Sequence, residues 1–153
     1  GRSLRSAVNL KALGPRTMTI DCDVLEADGG TRTASVTGGY LAAALALHNM
    51  GLARVLRDQV AAISVGFVND KVLVDLDYEE DSSARVDLNV VATADGRLVE
   101  VQGTAEGVAI ARSDFNAMLD AATVAIQALC TRQRAALTEA GANLDILMRK
   151  KDA

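Results

Sequence analysis

The chain has 153 residues, of which 50% are hydrophobic and 24% are charged, and its formal net charge is -4. Such a chain can bury a sizeable core as one domain or as two small ones. It contains no stretch near the roughly 18 unbroken apolar residues of a membrane-spanning helix, and no apolar signal region follows Arg2 and Arg5. We therefore expect neither a membrane protein nor a secreted one, but a soluble protein of the cytoplasm.

The rarer residue types narrow the chemistry further. Cys22 and Cys130 form no CxxC pair and His48 is the only histidine, which disfavours structural zinc, a disulfide framework and histidine catalysis. We expect both cysteines to be buried, reduced thiols. The lack of Trp disfavours an aromatic platform for bases. Net acidity argues against RNA binding except along a local basic path, which the first third of the chain provides: Arg2, Arg5, Lys11, Arg16 and Arg32.

Two elements are predicted at the beginning of the chain. Apolar residues at helical spacing between Leu4 and Leu13 predict a helix that ends at Gly14-Pro15, a strong stop signal. Residues 17–25 then alternate between apolar and polar side chains, which predicts a half-buried strand with one apolar face: Met18, Ile20, Cys22 and Val24.

The middle of the chain predicts a helix followed by a hairpin. A turn at Asp28-Gly29-Gly30 leads into residues 34–50, a small-residue run typical of a buried helix. We expect a short helical stretch at residues 52–57 and a strand over the apolar residues 60–68. Asn69-Asp70 is a turn signal, so residues 71–77 should form a second strand paired with the first.

Two more strands and a long helix complete the pattern. Residues 85–93 and 97–104 flank Asp95-Gly96, a strong hairpin signal. The helix should begin at Ser113-Asp114, a good N-cap. It should bury one apolar stripe: Phe115, Met118, Leu119, Ala122, Ile126 and Leu129. The basic tail Arg149-Lys150-Lys151 is expected to be mobile or a minor RNA contact. This order predicts an α+β fold whose largely antiparallel sheet is packed by helices.

The segment Gly29-Gly30-Thr31-Arg32-Thr33 has the features of an anion cradle. Glycines allow a tight turn, free N–H groups at a helix start point toward an anion, and an arginine can bind two phosphate oxygens. The same pattern also fits a plain helix start. The segment lacks the Gly-Lys-Ser/Thr ending of a Walker A motif, so a P-loop is disfavoured.

Acidic residues crowd residues 75–87: Asp75, Asp77, Glu79, Glu80, Asp81 and Asp87. We expect Asp75 and Asp77 to share a strand face, and the Ser82-Ser83 connection to fold Asp81 and Asp87 together. Crowded carboxylates suggest a hard divalent cation such as Mg²⁺. A solvated acidic loop is the alternative.

Four segments in the same order resemble the ribonuclease PH family, and together they cover nearly the whole chain. They are GRSLR (1–5), IDCDVLEADGGTRTASVTGGY (20–40), DLDYEEDSSARVDLNVV (75–91) and VEVQGTAEG (99–107). The resemblance implies a ribonuclease PH-like fold, of the type also found in ribosomal protein S5 domain 2. It implies a phosphate-dependent 3′→5′ exoribonuclease, a tRNA nucleotidyltransferase, that trims the 3′ ends of tRNA precursors, serves RNA processing including that of rRNA, and releases nucleoside diphosphates.

The resemblance also assigns the phosphate site and the form of the assembly. Its phosphate-binding motif falls on Gly30, Thr31 and Arg32, with Ser35 nearby. Inorganic phosphate is then the co-substrate. The family resemblance further implies a homo-oligomer, a hexameric ring built as a trimer of dimers.

The acidic positions and the RNA contacts complete the expected site. By the resemblance, Asp81 and Asp87 fall on paired positions that hold a metal, Mg²⁺ or Mn²⁺, or assist the leaving group in related polynucleotide phosphorylases. Asn89 should help to orient that centre. We expect Arg2 and Arg5 to contact RNA, and Arg32, together with the two aspartates, to be catalytic.

The family pattern continues on the N-terminal side of Gly1 with strands and a further arginine for the phosphate site. We therefore expect this chain to be the C-terminal portion, with a phosphorolytic core over residues 1–93 and a strand and helix region over residues 94–153. Two other functions stay open. One is a non-catalytic subunit that guides RNA in a ring, against which the retained Arg32 and aspartate pair argue. The weaker one is a small-molecule phosphotransferase of the same architecture.

Overall fold

In a computed structural model that describes residues 1–148, the chain forms a four-stranded antiparallel sheet with helices against both faces. The strands are β1 (Val60–Val68), β2 (Lys71–Val74), β3 (Val86–Thr93) and β4 (Leu98–Ala105), in the spatial order β2-β1-β3-β4. The predicted α+β fold with an antiparallel sheet is confirmed. The basic tail Arg149-Lys150-Lys151 lies outside the described residues, and the predicted division near residue 93 stays a prediction, although β3 and β4 pair across it.

Both hairpins form at the predicted turns. Asn69 and Asp70 adopt positive φ angles of 48° and 59°, as the two central residues of a tight hairpin turn require. Gly96 has a φ of 83° in the turn between β3 and β4. The first hairpin is shorter than predicted, because β2 ends at Val74 and Asp75 turns out of the strand with a φ of 64°.

The helices are α1 (Arg2–Ala7), α2 (Leu10–Leu13), α3 (Thr31–Asn49), α4 (Tyr78–Ser83), α5 (Arg112–Glu139) and α6 (Leu144–Leu147). The long helices α3 and α5 lie where the small-residue run and the apolar stripe predicted them. No helix within residues 1–148 is long and apolar enough to cross a membrane.

Helix α5 covers one face of the sheet. Alternate residues of β1 and β3 point toward it, and they pack with Met118, Ala122 and Ile126 in one buried cluster. The register explains the shared face, because Val65 lies opposite Leu88 and side chains two residues apart on a strand point the same way. The predicted stripe of α5 is therefore confirmed as its buried face.

Helix α3 packs against the opposite face, mainly on β1. The Thr37 hydroxyl donates to Ala62 O at 3.1 Å and accepts from Ala62 N at 3.0 Å, which holds the middle of α3 against β1. Beyond this contact, toward the start of α3, the same face carries Ser64, Asn89 and Asp87. The polar part of this face is where the candidate site lies.

The prediction of one continuous first helix is wrong, because the chain leaves the helical conformation at Val8 and forms two short helices, α1 and α2. Val8 pairs with Leu56 in an isolated antiparallel bridge, and Asn9 then caps α2 by accepting from Ala12 N at 3.4 Å. The short helix predicted over residues 52–57 does not form. Leu56 instead pairs with Met148 as well as with Val8. These long-range backbone contacts override the local helical pattern.

The predicted strand over residues 17–25 does not form, because no strand lies beside it within residues 1–148. Its alternation was still informative: Ile20 and Cys22 face α3, and a Cβ added at Gly39 would lie 3.6 Å and 3.9 Å from their side chains. Cys22 is nevertheless exposed rather than buried, whereas Cys130 is buried, and both are free thiols. Helix α5 begins after Ala111 without a side-chain cap, not at the predicted Ser113-Asp114.

Candidate active site

The first turn of α3 presents unused backbone donors. Gly30 is the N-cap residue, with φ 69° and ψ 19°, and the first intrahelical bond runs from Ala34 N to Gly30 O at 2.9 Å. The N–H groups of Thr31, Arg32 and Thr33 therefore have no intrahelical acceptor, and no side chain caps the helix. This is the geometry that binds anions at helix N-termini. We call Gly30, Thr31, Arg32 and Ser35 the phosphate cradle.

Gly30 is required by its surroundings as well as by its backbone. Its φ lies in the left-handed region, which disfavours a side chain. A Cβ at this position would also lie 3.1 Å from Ser64 Oγ and 3.3 Å from Thr33 Oγ1. Ser64 Oγ is buried and has no hydrogen-bond partner among the described residues. The start of α3 thus lies directly on the polar face of β1.

Two hydroxyls near the start of α3 are engaged inside the helix. Thr33 Oγ1 donates to Gly30 O and Ser35 Oγ donates to Thr31 O, each at 2.8 Å. An anion at this helix start would therefore meet backbone N–H groups and the Arg32 guanidinium first. Ser35 lies close to Thr31 and Arg32, as predicted, but its hydroxyl proton is already donated to Thr31 O.

Arg32 is held by strand β4. Its Nη2 donates to Glu100 and its Nη1 donates to Gln102. A guanidinium has five N–H donors, so three remain for a ligand. Glu100 in turn accepts from Ser3 Oγ of α1 at 3.4 Å, and these contacts join three elements around one arginine.

A cleft of about 640 Å³ lies beside this arginine, and we call it the polar cleft. It brings Arg2, one of the two predicted RNA contacts, to the phosphate cradle, whereas Arg5 lines a neighbouring cleft and not this one. The polar cleft is lined by Gly1, Arg2, Ser3, Arg32, Ser35, Val36, Glu100 and Gln102.

The acidic block folds differently from the sequence prediction. Asp75 and Asp77 do not share a strand face, because Asp75 leaves the strand and Asp77 is the N-cap of α4. The Asp77 side chain accepts from Glu80 N at 2.8 Å while Glu80 Oε2 accepts from Asp77 N at 3.2 Å, which is a capping box. Two of the acidic residues thus stabilise a helix that carries Asp81.

Asp81 and Asp87 lie close enough to affect each other. Partial burial raises the pKa of the Asp87 carboxyl above its ordinary value, and the nearby charge of Asp81 raises it further. The hydrogen bond from Asn89 Nδ2 to Asp87 Oδ2, at 3.1 Å, lowers the pKa and opposes both effects. The two carboxylates are therefore near enough to interact electrostatically, and Asn89 contacts Asp87.

The pair has the donor set that Mg²⁺ prefers. No three His, Cys, Asp or Glu side chains within residues 1–148 are grouped around one point, so a metal at this pair would have these two carboxylates and no third ligand of those four residue types. Mg²⁺ usually keeps several waters and is held by one or two carboxylates and substrate phosphates. A cation would also relieve the repulsion that raises the pKa of Asp87. Asp81 and Asp87 therefore fit the implied metal.

The cradle and the aspartate pair lie on the same face of the sheet. In the β3–β4 register Asn89 lies opposite Gln102, which binds Arg32, and Asp87 lies opposite Thr104. Directly opposite residues have Cβ atoms about 5 Å apart. A second link joins the same two regions, because Asp28 Oδ1 accepts from Tyr78 N of α4 at 2.6 Å. Both halves of the predicted site thus border one polar surface.

Sequence reasoning missed the residues that hold Arg32. Glu100 and Gln102 lie in a segment that carries the family resemblance, and Glu100, Gln102 and Thr104 alternate as one face of β4. That alternation was a readable signal. The sequence alone did not reveal which helix start this face would meet.

Comparisons with known proteins show which proteins this chain is similar to. Residues 58–125 match the 3′ exoribonuclease family, domain 2. Ribonuclease PH of Synechococcus sp. (strain CC9605) is 53% identical over 144 residues, which cover 91% of this chain and 58% of that protein. Ribonuclease PH of Mycolicibacterium gilvum is 54% identical over 143 residues, covering 90% of this chain and 55% of that protein. The chain therefore spans somewhat more than half the length of these relatives.

Structural similarity supports the same fold. The crystal structure of rice (Oryza sativa) Rrp46 superposes with a TM-score of 0.62 at 18% identity, covering 90% of this chain and 62% of that one. At this level of identity the likeness concerns the fold alone.

Proposed function

The chain belongs to the ribonuclease PH family, as the C-terminal portion of such a protein, and on that premise we propose that it shortens RNA from the 3′ end with inorganic phosphate. The products are a nucleoside diphosphate and an RNA one residue shorter. One observation carries the proposal: Arg32 and the Asp81/Asp87 pair border the same face of the sheet, joined through Gln102 and Asn89. In the proposed reaction, one phosphorus atom bound at that face interacts with both.

Inorganic phosphate binds at the start of α3. The free N–H groups of Thr31, Arg32 and Thr33 and the helix dipole favour a dianion there. The remaining donors of Arg32 hold the phosphate against the polar cleft. Because phosphate brings its own charge as a nucleophile, the protein contributes mainly positioning and stabilisation of charge.

The reaction exchanges one phosphate ester for another. An oxygen of inorganic phosphate forms a bond to the phosphorus of the last phosphodiester, and the bond from that phosphorus to the O3′ of the penultimate nucleotide breaks. Arg32 stabilises the negative charge that develops on the phosphoryl oxygens. In this proposal Asp81 or Asp87, directly or through a divalent cation, aids the departure of that O3′.

A divalent cation, Mg²⁺ or Mn²⁺, fits this proposal at Asp81 and Asp87. When bound, it would supply Lewis-acid stabilisation of the phosphoryl and leaving oxygens. Asn89 then acts as a positioning residue, because its amide holds one oxygen of Asp87. The rotamer of that carboxylate is fixed before a ligand arrives.

The finer assignments rest on the family resemblance. We propose tRNA precursors as the substrate, a hexameric ring as the assembly and the cytoplasm as the location. A non-catalytic subunit that only guides RNA is not favoured, because a cradle with free donors and a paired set of carboxylates are both retained.

The test uses the full-length protein with 5′-labelled RNA, with and without inorganic phosphate. We expect phosphate-dependent shortening and release of nucleoside diphosphates. Replacing Arg32 with Ala should lower turnover by about a hundredfold or more, because one charge-stabilising donor is lost. The Arg32 side chain is exposed and makes no buried contact. The thermal stability of the Arg32→Ala protein should therefore differ little from that of the wild type.

Arg132→Ala serves as the matched control, since Arg132 is an exposed arginine of α5 that makes no ion pair among the described residues. That variant should shorten RNA at the normal rate. A wild-type protein that gives no product in either buffer would support the RNA-guiding subunit instead. Normal turnover by Arg32→Ala would show that the phosphate cradle is assigned to the wrong residues.

A further inference from the structure

Three arginines line one shallow cleft next to the candidate site. Arg2 and Arg5 come from α1, and Arg57 comes from the extended segment that precedes β1. The cleft has a volume of about 340 Å³, and its other lining residues are Ser6, Val8 and Leu10. We call it the basic cleft. The sequence had indicated Arg2 and Arg5 as RNA contacts, but nothing in it placed Arg57 beside them.

The fold holds Arg57 at this position through the backbone. Arg57 N donates to Ala7 O at 2.7 Å, and Val8 pairs with Leu56. Arg2 and Arg5 are three residues apart on α1, so their side chains lie on one side of that helix. The main chain therefore brings the three arginines to one cleft.

No carboxylate among the described residues forms an ion pair with these arginines. Within residues 1–148 none of the three arginines forms an ion pair, although the chain has 20 acidic residues and 16 basic ones. All three side chains belong to exposed residues. Like charges in one cleft repel one another, and the repulsion is relieved when an anion binds among them. The basic cleft is thus suited to an external anion.

The basic cleft adjoins the polar cleft at Arg2. Arg2 lines both of them, and Arg32 of the phosphate cradle lines the polar cleft. An anionic chain whose end lies at Arg32 can therefore continue past Arg2 toward Arg5 and Arg57. No aromatic side chain lines the basic cleft, so contacts there would be with the backbone of the ligand and not with stacked bases.

We propose that Arg2, Arg5 and Arg57 form a subsite for a backbone phosphate of single-stranded RNA, upstream of the bond that is cleaved. This inference rests on the proposed function, because it takes the RNA 3′ end to lie at the phosphate cradle. Arg57 is its new member. The subsite contributes to RNA affinity independently of base sequence and has no part in binding inorganic phosphate.

The test compares the full-length wild type with Arg57→Ala, Arg57→Lys and the control Arg132→Ala. Binding of labelled single-stranded RNA of about 20 nucleotides is measured without inorganic phosphate over a range of salt concentrations. Arg57→Ala should weaken binding about three- to tenfold and reduce the slope of log K against log salt by about 0.7, the value for one lost contact on a single strand. Arg57→Lys should keep most of the slope, because it keeps the charge.

Two further measurements separate the subsite from the reaction centre. The KM for inorganic phosphate should be unchanged in Arg57→Ala, and a trinucleotide too short to reach the basic cleft should be shortened as fast as by wild type. Wild-type affinity and salt slope in Arg57→Ala, with an active wild-type enzyme, would overturn the subsite alone. A wild type that neither binds nor shortens RNA would overturn the proposed function and the subsite with it.

Discussion

The surroundings of Asp87 disfavour the ionised form of its carboxyl group. Burial and the charge of Asp81 raise the pKa of its carboxyl above the ordinary value of 3.8, so the folded state prefers the protonated form more than the unfolded chain does. The stability from this group is therefore fully present below the ordinary pKa and is lost as the pH rises through the folded pKa. At neutral pH the ionised Asp87 destabilises the fold.

Replacing Asp87 with Asn should therefore stabilise the metal-free protein at neutral pH while abolishing most turnover. The Asn side chain keeps an oxygen that accepts from Asn89, so the local hydrogen bond survives. Thermal melts with EDTA should show a higher Tm for Asp87→Asn at pH 7, and the difference should shrink as the pH is lowered toward 4. An equal or lower Tm at pH 7 would mean that Asp87 is not held against repulsion in the folded state.

Among the helices, α5 is attached by a polar contact as well as by its apolar stripe. Gln133 is 2% exposed, and its Nε2 donates to Thr37 O of α3 and to Val60 O of β1, each at 3.0 Å. Its Oε1 accepts from Gln59 Nε2 at 3.0 Å. One side chain thus joins the two long helices and the central strand at the edge of the apolar core.

Replacing Gln133 with Ala should destabilise the protein by about 2–3 kcal/mol, because it leaves a cavity and buried polar groups without a partner. The change should appear in chemical denaturation as a lower midpoint with an unchanged m-value. Gln127→Ala on the exposed side of the same helix is the control and should shift stability by no more than about 0.5 kcal/mol. Equal effects of the two substitutions would show that the polar contact adds nothing to helix packing.

At this scale the sequence predicted elements whose signals are local. The strand over residues 60–68 and the turn at Asn69-Asp70 follow from apolar and turn residues close in the chain, and both are confirmed. The strand prediction for residues 17–25 was wrong, because alternation shows which side of a segment is buried and not whether another strand lies beside it. The helix prediction for residues 52–57 was also wrong because of contacts that are distant in the chain, since Leu56 pairs with Val8 and Met148.

In the candidate site, too, the residues with local sequence signals could be predicted and those placed by long-range contacts could not. Gly30 and Arg32 could be read from a glycine turn before a helix, because backbone conformation and helix start are local properties. The partners of Arg32 could not be read in this way, since Glu100 and Gln102 are distant in the chain and meet Arg32 only in the folded structure. Arg57 joins Arg2 and Arg5 through a backbone contact across 50 residues, between Arg57 and Ala7. The tertiary structure therefore decides which charged residues lie together.

Across the whole molecule, the phosphate cradle is the point at which several elements meet. The start of α3 lies on β1 through Gly30, Arg32 contacts β4, and Glu100 links that contact to Ser3 of α1. Asp28 joins the preceding turn to α4. An anion bound at this point therefore interacts with a structure that exists only when these elements are assembled, and it should stabilise all of them together.

Inorganic phosphate should accordingly raise the Tm of the protein even when no RNA is present. A ligand at a hundred times its Kd stabilises the folded state by about 2.7 kcal/mol when the unfolded chain does not bind it, which corresponds to a shift of several degrees. Melts in phosphate and in chloride at equal ionic strength and pH would measure the shift. Arg32→Ala should remove most of it, whereas Arg57→Ala and Arg132→Ala should retain it, because neither of those arginines lines the polar cleft. A shift of equal size in all three variants would place the phosphate elsewhere in the molecule.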